Sequence, residues 1–166
     1  MYQKVITSPI GNIYISASDK GLTEVLFMDE DTRHAPDTTG PFTSNHICET
    51  TALQLAEYFA GKRTTFDIPL SPAGTPFQQH VWQQLLMIPF GKTTTYSGIA
   101  NQMNNPLSVR AVGLANGKNP KAIVIPCHRV IGVDGSLTGY AGGLKRKEAL
   151  LKIEGNASLN QPGLWD

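Results

Sequence analysis

The sequence predicts an α+β chain in two parts, a small N-terminal α/β part of strands followed by one helix and a mainly helical C-terminal part. Three observations carry that reading. Short β-rich runs separated by turn residues occupy the first 28 positions, and helical spacing of apolar residues begins only near Ile47. A Thr75-Pro76 pair then reads as the start of a second helical series. Charge also divides there. Residues 1–75 carry five basic against nine acidic side chains, a balance of −4, whereas residues 76–166 carry nine against four, a balance of +5, so the overall +1 conceals a polarised molecule.

The predicted strands are Tyr2–Ile6, 11–17 and 22–28, joined by Ser8-Pro9-Ile10-Gly11 and Ser18-Asp19-Lys20-Gly21, which gives an antiparallel meander. Residues 29–45 are rich in Asp, Thr, Pro and Gly and read as a loop. Ile47, Ala52, Leu55, Ala56 and Phe59 recur at near-helical spacing, with Gly61 where a C-cap would sit. Residues 66–70 are expected to form a last strand and 71–75 a linker, placing the domains at 1–72 and 73–166.

The helix beginning at Pro76 is expected to bury Phe77, Val81, Leu85 and Ile88 and to stop before Pro89. Two shorter helices, 96–103 and about 107–116, follow across Asn104-Asn105-Pro106. In a basic half this arrangement reads either as a helix-turn-helix or as a plain helical hairpin. The second helix contains Arg110-Ala111-Val112-Gly113-Leu114-Ala115-Asn116-Gly117. Small side chains there suit either close packing in a core or close approach to a minor groove, with Arg110 as the one long cation able to enter a base stack. Residues 123–125 read as an apolar strand ahead of Pro126-Cys127-His128-Arg129-Val130.

The 166 residues suffice for a packed core, and no apolar run reaches the about 20 residues of a membrane span. The N-terminus lacks the apolar run of a signal peptide, so a cytoplasmic location is expected. Cys48 and Cys127 have no CxxC partners, so neither a disulfide framework nor a zinc cluster is expected. Cys48 reads as a structural or bystander thiol. Cys127 followed directly by His128 is either a buried structural pair or a nucleophile with its base, because only thiolate is nucleophilic and a base must take the proton. Glu154, at the end of a predicted helix Leu144–Ile153, is the acidic residue chosen to orient the second nitrogen of His128.

Pro126-Cys127-His128-Arg129-Val130 resembles the active-site signature of the O6-alkylguanine-DNA alkyltransferases, the methylated-DNA–protein-cysteine methyltransferases of direct repair. The resemblance extends over about residues 75–155 through Phe90-Gly91-Lys92, Thr95-Tyr96, Arg110-Ala111-Val112-Gly113, Asn119-Pro120, Gly139-Tyr140-Ala141-Gly142-Gly143-Leu144, Lys147-Glu148 and Glu154-Gly155. The N-terminal part is similar to the family's ribonuclease-H-like domain through Ser8-Pro9-Ile10-Gly11 and the strand pattern.

This resemblance implies a winged helix-turn-helix C-terminal domain that binds double-stranded DNA containing O6-alkylguanine through the minor groove. The flipped base would enter a pocket lined by Tyr96 and Tyr140, with Arg110 filling the gap it leaves and Ala111 and Gly113 on the groove-facing helix. Cys127 would accept the alkyl group, His128 and Glu154 would draw off its proton through a water, and Asn119 would brace the turn. The Tyr96 hydroxyl and the Ala141 backbone N–H would help the base leave. Ala141 replaces a serine of some relatives, and Ala122 stands where some carry a proline. The resemblance further implies a monomer that needs no cofactor, no metal and no membrane, and that is consumed in a single turnover.

Overall fold

Residues 1–28 and 43–155 are described by a computed structural model. They fall into two compact units, one within Met1–Ala73 and Pro120–Val124, the other within Gly74–Asn119 and Ile125–Asp166.

In the first unit, β1 (Tyr2–Ile6), β2 (Ile13–Ala17) and β3 (Leu22–Phe27) form an antiparallel sheet in that order. Ile6 pairs with Ile13 and Ile15 with Val25, and all five residues of β2 are buried, as expected for a central strand. The helix α1 (His46–Phe59) packs on this sheet and buries Ile47, Cys48, Leu55 and Tyr58. It begins at Asn45, whose side-chain oxygen accepts from the Cys48 N–H at 2.9 Å, so the capping residue lies inside the stretch expected to be loop. The rest of that expected loop, 29–42, lies outside the described residues.

The expected strand at 66–70 is not formed. Leu70 makes one isolated parallel bridge to Leu22, flanked by Leu22 N to Pro69 O (2.8 Å) and Ser71 N to Leu22 O (2.9 Å). The Gln54 amide takes up the nearby backbone instead, accepting from Asp67 N and donating to Asp67 O. Gly21 is required beside this contact, since a Cβ there would lie 2.6 Å from the Ser71 nitrogen. A second isolated bridge joins Val25 to Lys121. Two short segments thus cover the free edge of β3 without extending the sheet.

The second unit opens with α2 (Pro76–Leu86), closed at its start by a capping box in which Thr75 accepts from Gln78 N and the Gln78 side chain accepts from Thr75 N. Val81, Leu85 and Ile88 are buried as expected, but Phe77 is only half-buried and Trp82 replaces it in the core. The Trp82 indole N–H donates to the Ala115 carbonyl at 2.9 Å, which ties α2 to α4. α3 (Tyr96–Gln102) and α4 (Val109–Gly117) pack against each other across a turn that contains Asn104 at φ 55° and a 3₁₀ turn at Pro106–Ser108. β4 (Thr94–Thr95) pairs in parallel with β5 (Val130–Ile131), and α5 (Leu144–Ile153) closes the unit.

The expected strand at 123–125 is replaced by turns. Ile123 has φ 70°, unusual for a β-branched residue, and Val124 N bonds Ala122 O across it. Cys127 N then bonds Ile125 O across Pro126 (φ −81°, ψ 63°), an inverse γ-turn. The apolar side chains of this stretch are buried, but the backbone is spent on reversing direction.

Candidate active site

The inverse γ-turn delivers Cys127, His128 and Arg129 into a single 3₁₀ turn, and all three are buried. The flanking β4–β5 pairing brings Tyr96, the first residue of α3, next to the same segment of chain. Asn119 donates from its side-chain amide to the Ile125 carbonyl at 2.8 Å, and Asn116 donates to the Cys127 carbonyl at 3.4 Å. The turn is therefore braced from outside by two asparagines.

Behind the cysteine lies a buried network built on one carboxylate. Glu154 caps the C-terminal end of α5, and its Oε2 lies 2.7 Å from His128 Nε2. Arg129 donates to the same carboxylate twice, from Nε to Oε1 at 2.7 Å and from Nη2 to Oε2 at 3.1 Å, and also donates to the Ile88 carbonyl at 2.6 Å. Its guanidinium lies 5.9 Å from the centre of the Phe90 ring. Gly91 adds a backbone N–H to Glu154 Oε1 at 3.4 Å. Its φ of 80° and the 3.1 Å that would separate a Cβ from the Glu154 carbonyl both favour glycine.

Burial alone pushes the Glu154 carboxyl up, but the hydrogen bonds from His128 and Arg129 and the charge of Arg129 outweigh it and hold the group well below the usual carboxylate range. Burial pulls His128 below its ordinary 6.5, so the ring is neutral at pH 7 despite the neighbouring carboxylate. A neutral ring donating from Nε2 to Glu154 carries its lone pair on Nδ1. That atom is buried and has no protein partner.

Burial likewise pushes the Cys127 thiol up, while a hydrogen bond from Asn119 and the charge of Lys147 pull it partly back. The resting group is therefore a thiol. Lys147 is fully buried, lowered to about 8 by burial, and donates to the Thr138 carbonyl at 2.7 Å. Thr138 Oγ1 in turn lies 2.8 Å from the Tyr96 hydroxyl.

Two family models match the chain, "6-O-methylguanine DNA methyltransferase, ribonuclease-like domain" over residues 1–72 and "6-O-methylguanine DNA methyltransferase, DNA binding domain" over residues 76–156. The chain belongs to the 6-O-methylguanine DNA methyltransferase family. It is 48% identical over 156 residues to the methylated-DNA–protein-cysteine methyltransferase of Methanosarcina mazei, covering 94% of this chain and 98% of that one. The corresponding protein of Mycobacterium leprae is 45% identical, covering 96% and 95%. Among solved structures, Mycobacterium tuberculosis O6-methylguanine methyltransferase superposes with a TM-score of 0.84 at 44% identity, covering 95% of this chain and 94% of that one. Mycobacterium tuberculosis OGT in complex with DNA gives 0.83 at 44%, covering 93% and 92%. The two-domain methyltransferase architecture, an N-terminal sheet domain followed by a helical domain, is that of the family.

Within this methyltransferase unit Cys127, His128, Glu154 and Asn119 are brought together. Tyr96, Tyr140 and Ala141 are half-buried, and Gly143 N bonds the Tyr140 carbonyl at 2.9 Å to close the turn that leads into α5. On α4 the buried face is Val112, Ala115 and Asn116, whereas Arg110, Ala111, Leu114 and Gly117 face outward. Gly113 lies against the Tyr96 ring, where a Cβ would come within 3.8 Å. The small residues therefore divide, with Ala115 packed in the core and Ala111 on the exposed face.

One expectation about charge is corrected. The +5 balance of residues 76–166 counts every cation alike, but Arg129 and Lys121 are buried, the first on Glu154 and the second near Glu24. Counting charges along a sequence cannot separate a solvated cation from one held on a buried carboxylate. Arg129, Lys147, Asn116 and Thr138 are given no part in the site by the sequence alone. For the first two, the signal available was a cation within the matched motifs. Asn116 and Thr138 had none. Among the described residues no helix is long and apolar enough to cross a membrane, and no group of three His, Cys, Asp or Glu could hold a metal ion.

Proposed function

We propose that this methyltransferase reverses DNA alkylation directly, moving the alkyl group of O6-alkylguanine from a flipped-out base to the sulfur of Cys127. The observation that carries the assignment is the buried line from Glu154 through His128 to the cysteine turn. The carboxylate fixes the Nε2–H tautomer and leaves Nδ1 as the base for the thiol proton, received directly or through a water. The Cys127 sulfur attacks the alkyl carbon as the C–O bond breaks. The electron pair of that bond stays on guanine, which takes a proton or hydrogen bond at N3 from the Tyr96 hydroxyl and a second at O6 from the Ala141 N–H. Flipping is needed because the alkylated oxygen cannot be reached inside the stack.

The protein partner is double-stranded DNA, held by the α3–α4 pair with the outward face of α4 in the minor groove and Arg110 in the space left by the base. The protein acts as a monomer in the cytoplasm. A thioether has no leaving group that water displaces at neutral pH, so each molecule acts once. With lesion DNA in molar excess, transferred alkyl groups should plateau at one per protein; a steady turnover beyond that plateau contradicts the mechanism.

Arg110→Ala should slow transfer from duplex DNA by about tenfold to a hundredfold, the worth of a few kcal/mol of unstacking, and leave reaction with free O6-methylguanine base unchanged. Comparable losses on both substrates remove the flipping role. The transfer rate should hold from pH 8 down to the ordinary histidine value and fall only below 6.5, because His128 is depressed by burial and accepts a proton only while neutral. A rate that falls already between pH 8 and 7 contradicts a neutral His128.

A further inference from the structure

We propose that Thr138 is a positioning residue for this reaction, its hydroxyl directing the Tyr96 phenolic proton toward the departing base. The inference rests on the role given to Tyr96 above. Thr138 lies outside any helix or strand, yet it is held at both its backbone and its side chain. The Lys147 ammonium, rooted in α5 and fully buried, donates to the Thr138 carbonyl at 2.7 Å. Upstream, Gly132 N to Ser136 O (2.9 Å) and Gly135 N to Gly132 O (2.9 Å) close a tight turn. The Thr138 hydroxyl, 2.8 Å from the Tyr96 oxygen, is thus a fixed group rather than a freely rotating one.

The Tyr96 ring is also fixed. It starts α3 directly after Thr95, whose hydroxyl accepts from Gly98 N at 3.0 Å, and its edge lies beside Gly113 of α4. What remains free is the direction of the phenolic O–H. A phenol has one proton to give and can accept another. When Thr138 donates to the phenolic oxygen, the Tyr96 proton is left for the guanine and is polarised by the bond behind it.

The test compares Thr138→Val, which keeps the shape and removes the hydroxyl, with Thr138→Ser and Thr138→Ala, each alone and combined with Tyr96→Phe. Single-turnover transfer is measured on a duplex containing O6-methylguanine, and duplex binding in parallel. Thr138→Val and Thr138→Ala should slow transfer by about tenfold, the scale of one hydrogen bond, with binding unchanged. Thr138→Ser should restore the rate, and the loss should vanish in the Tyr96→Phe background. Full-rate transfer by Thr138→Val, or losses that multiply with Tyr96→Phe, would overturn the inference while wild-type transfer upholds the reaction itself. Absence of transfer by the wild type overturns both.

Discussion

Cys127→Ser should abolish alkyl transfer while leaving affinity for lesion-containing duplex within about twofold of wild type. Serine keeps the shape of the side chain in a turn already fixed by the Pro126 γ-turn and the Asn119 and Asn116 amides. An alkoxide, however, lies far above any base available, since neutral His128 has an ordinary value near 6.5 lowered by burial. A thiol, even one pushed up by burial, stays within reach of that base once its proton has a route to Nδ1. Transfer measured by label incorporation and binding measured by gel shift separate the two effects. Residual transfer in Cys127→Ser above background contradicts Cys127 as the acceptor. A parallel collapse of binding would show that the substitution disrupts the turn.

Glu154→Gln should produce the second large effect, on stability and on rate together. The side chains of Glu154 and His128 are fully buried and that of Arg129 is 7% exposed, so removing the carboxylate charge leaves a buried guanidinium without its counter-ion. Breaking such a pair from one side costs about 3–5 kcal/mol, or roughly 10 °C of melting temperature for a chain of this size. The sign of the pH dependence follows from the depressed carboxyl. The stability that Glu154 contributes is fully present above its unfolded value near 4.5 and is lost as pH falls toward its folded value. The gap in melting temperature between wild type and Glu154→Gln should therefore be widest near neutrality and narrow below pH 4.5. A gap that stays constant from pH 7 to 3 contradicts an ionised Glu154. The transfer rate should fall by about a hundredfold, the usual worth of a positioned base, because glutamine no longer fixes the tautomer of His128.

Much of this was legible in the residues, and the parts that were not share a cause. Thr75-Pro76 announces a helix start through its own chemistry, and the structure adds the reciprocal Gln78 bond. The meander in residues 1–28 is readable because turn residues separate the runs and the central strand is apolar. Residues 66–70 misled because apolar positions alternating with Asp67 and Pro69 look like a strand, although the Asp67 backbone bonds the Gln54 side chain, and 123–125 misled because a short apolar run signals burial, not pairing, and the backbone of Ile123 at φ 70° cannot be seen in its side chain. The Cys127-His128 pair and its link to Glu154 were legible from motif and chemistry. Arg129, by contrast, counted as surface charge from the sequence, although it is the group that shares Glu154 with His128. The Thr138–Tyr96 contact spans 42 positions and depends on a segment with no regular structure, so no local pattern encodes it.

The central claim is covalent, and mass spectrometry tests it most directly. The protein is incubated with a duplex containing one O6-methylguanine, and its intact mass is recorded before digestion and sequencing of the peptides. The account predicts the gain of one methyl group per molecule, carried on the sulfur of Cys127, with Cys48 unmodified and guanine restored in the DNA. Restored guanine without any mass gain, or a methyl group found on any residue other than Cys127, would contradict it.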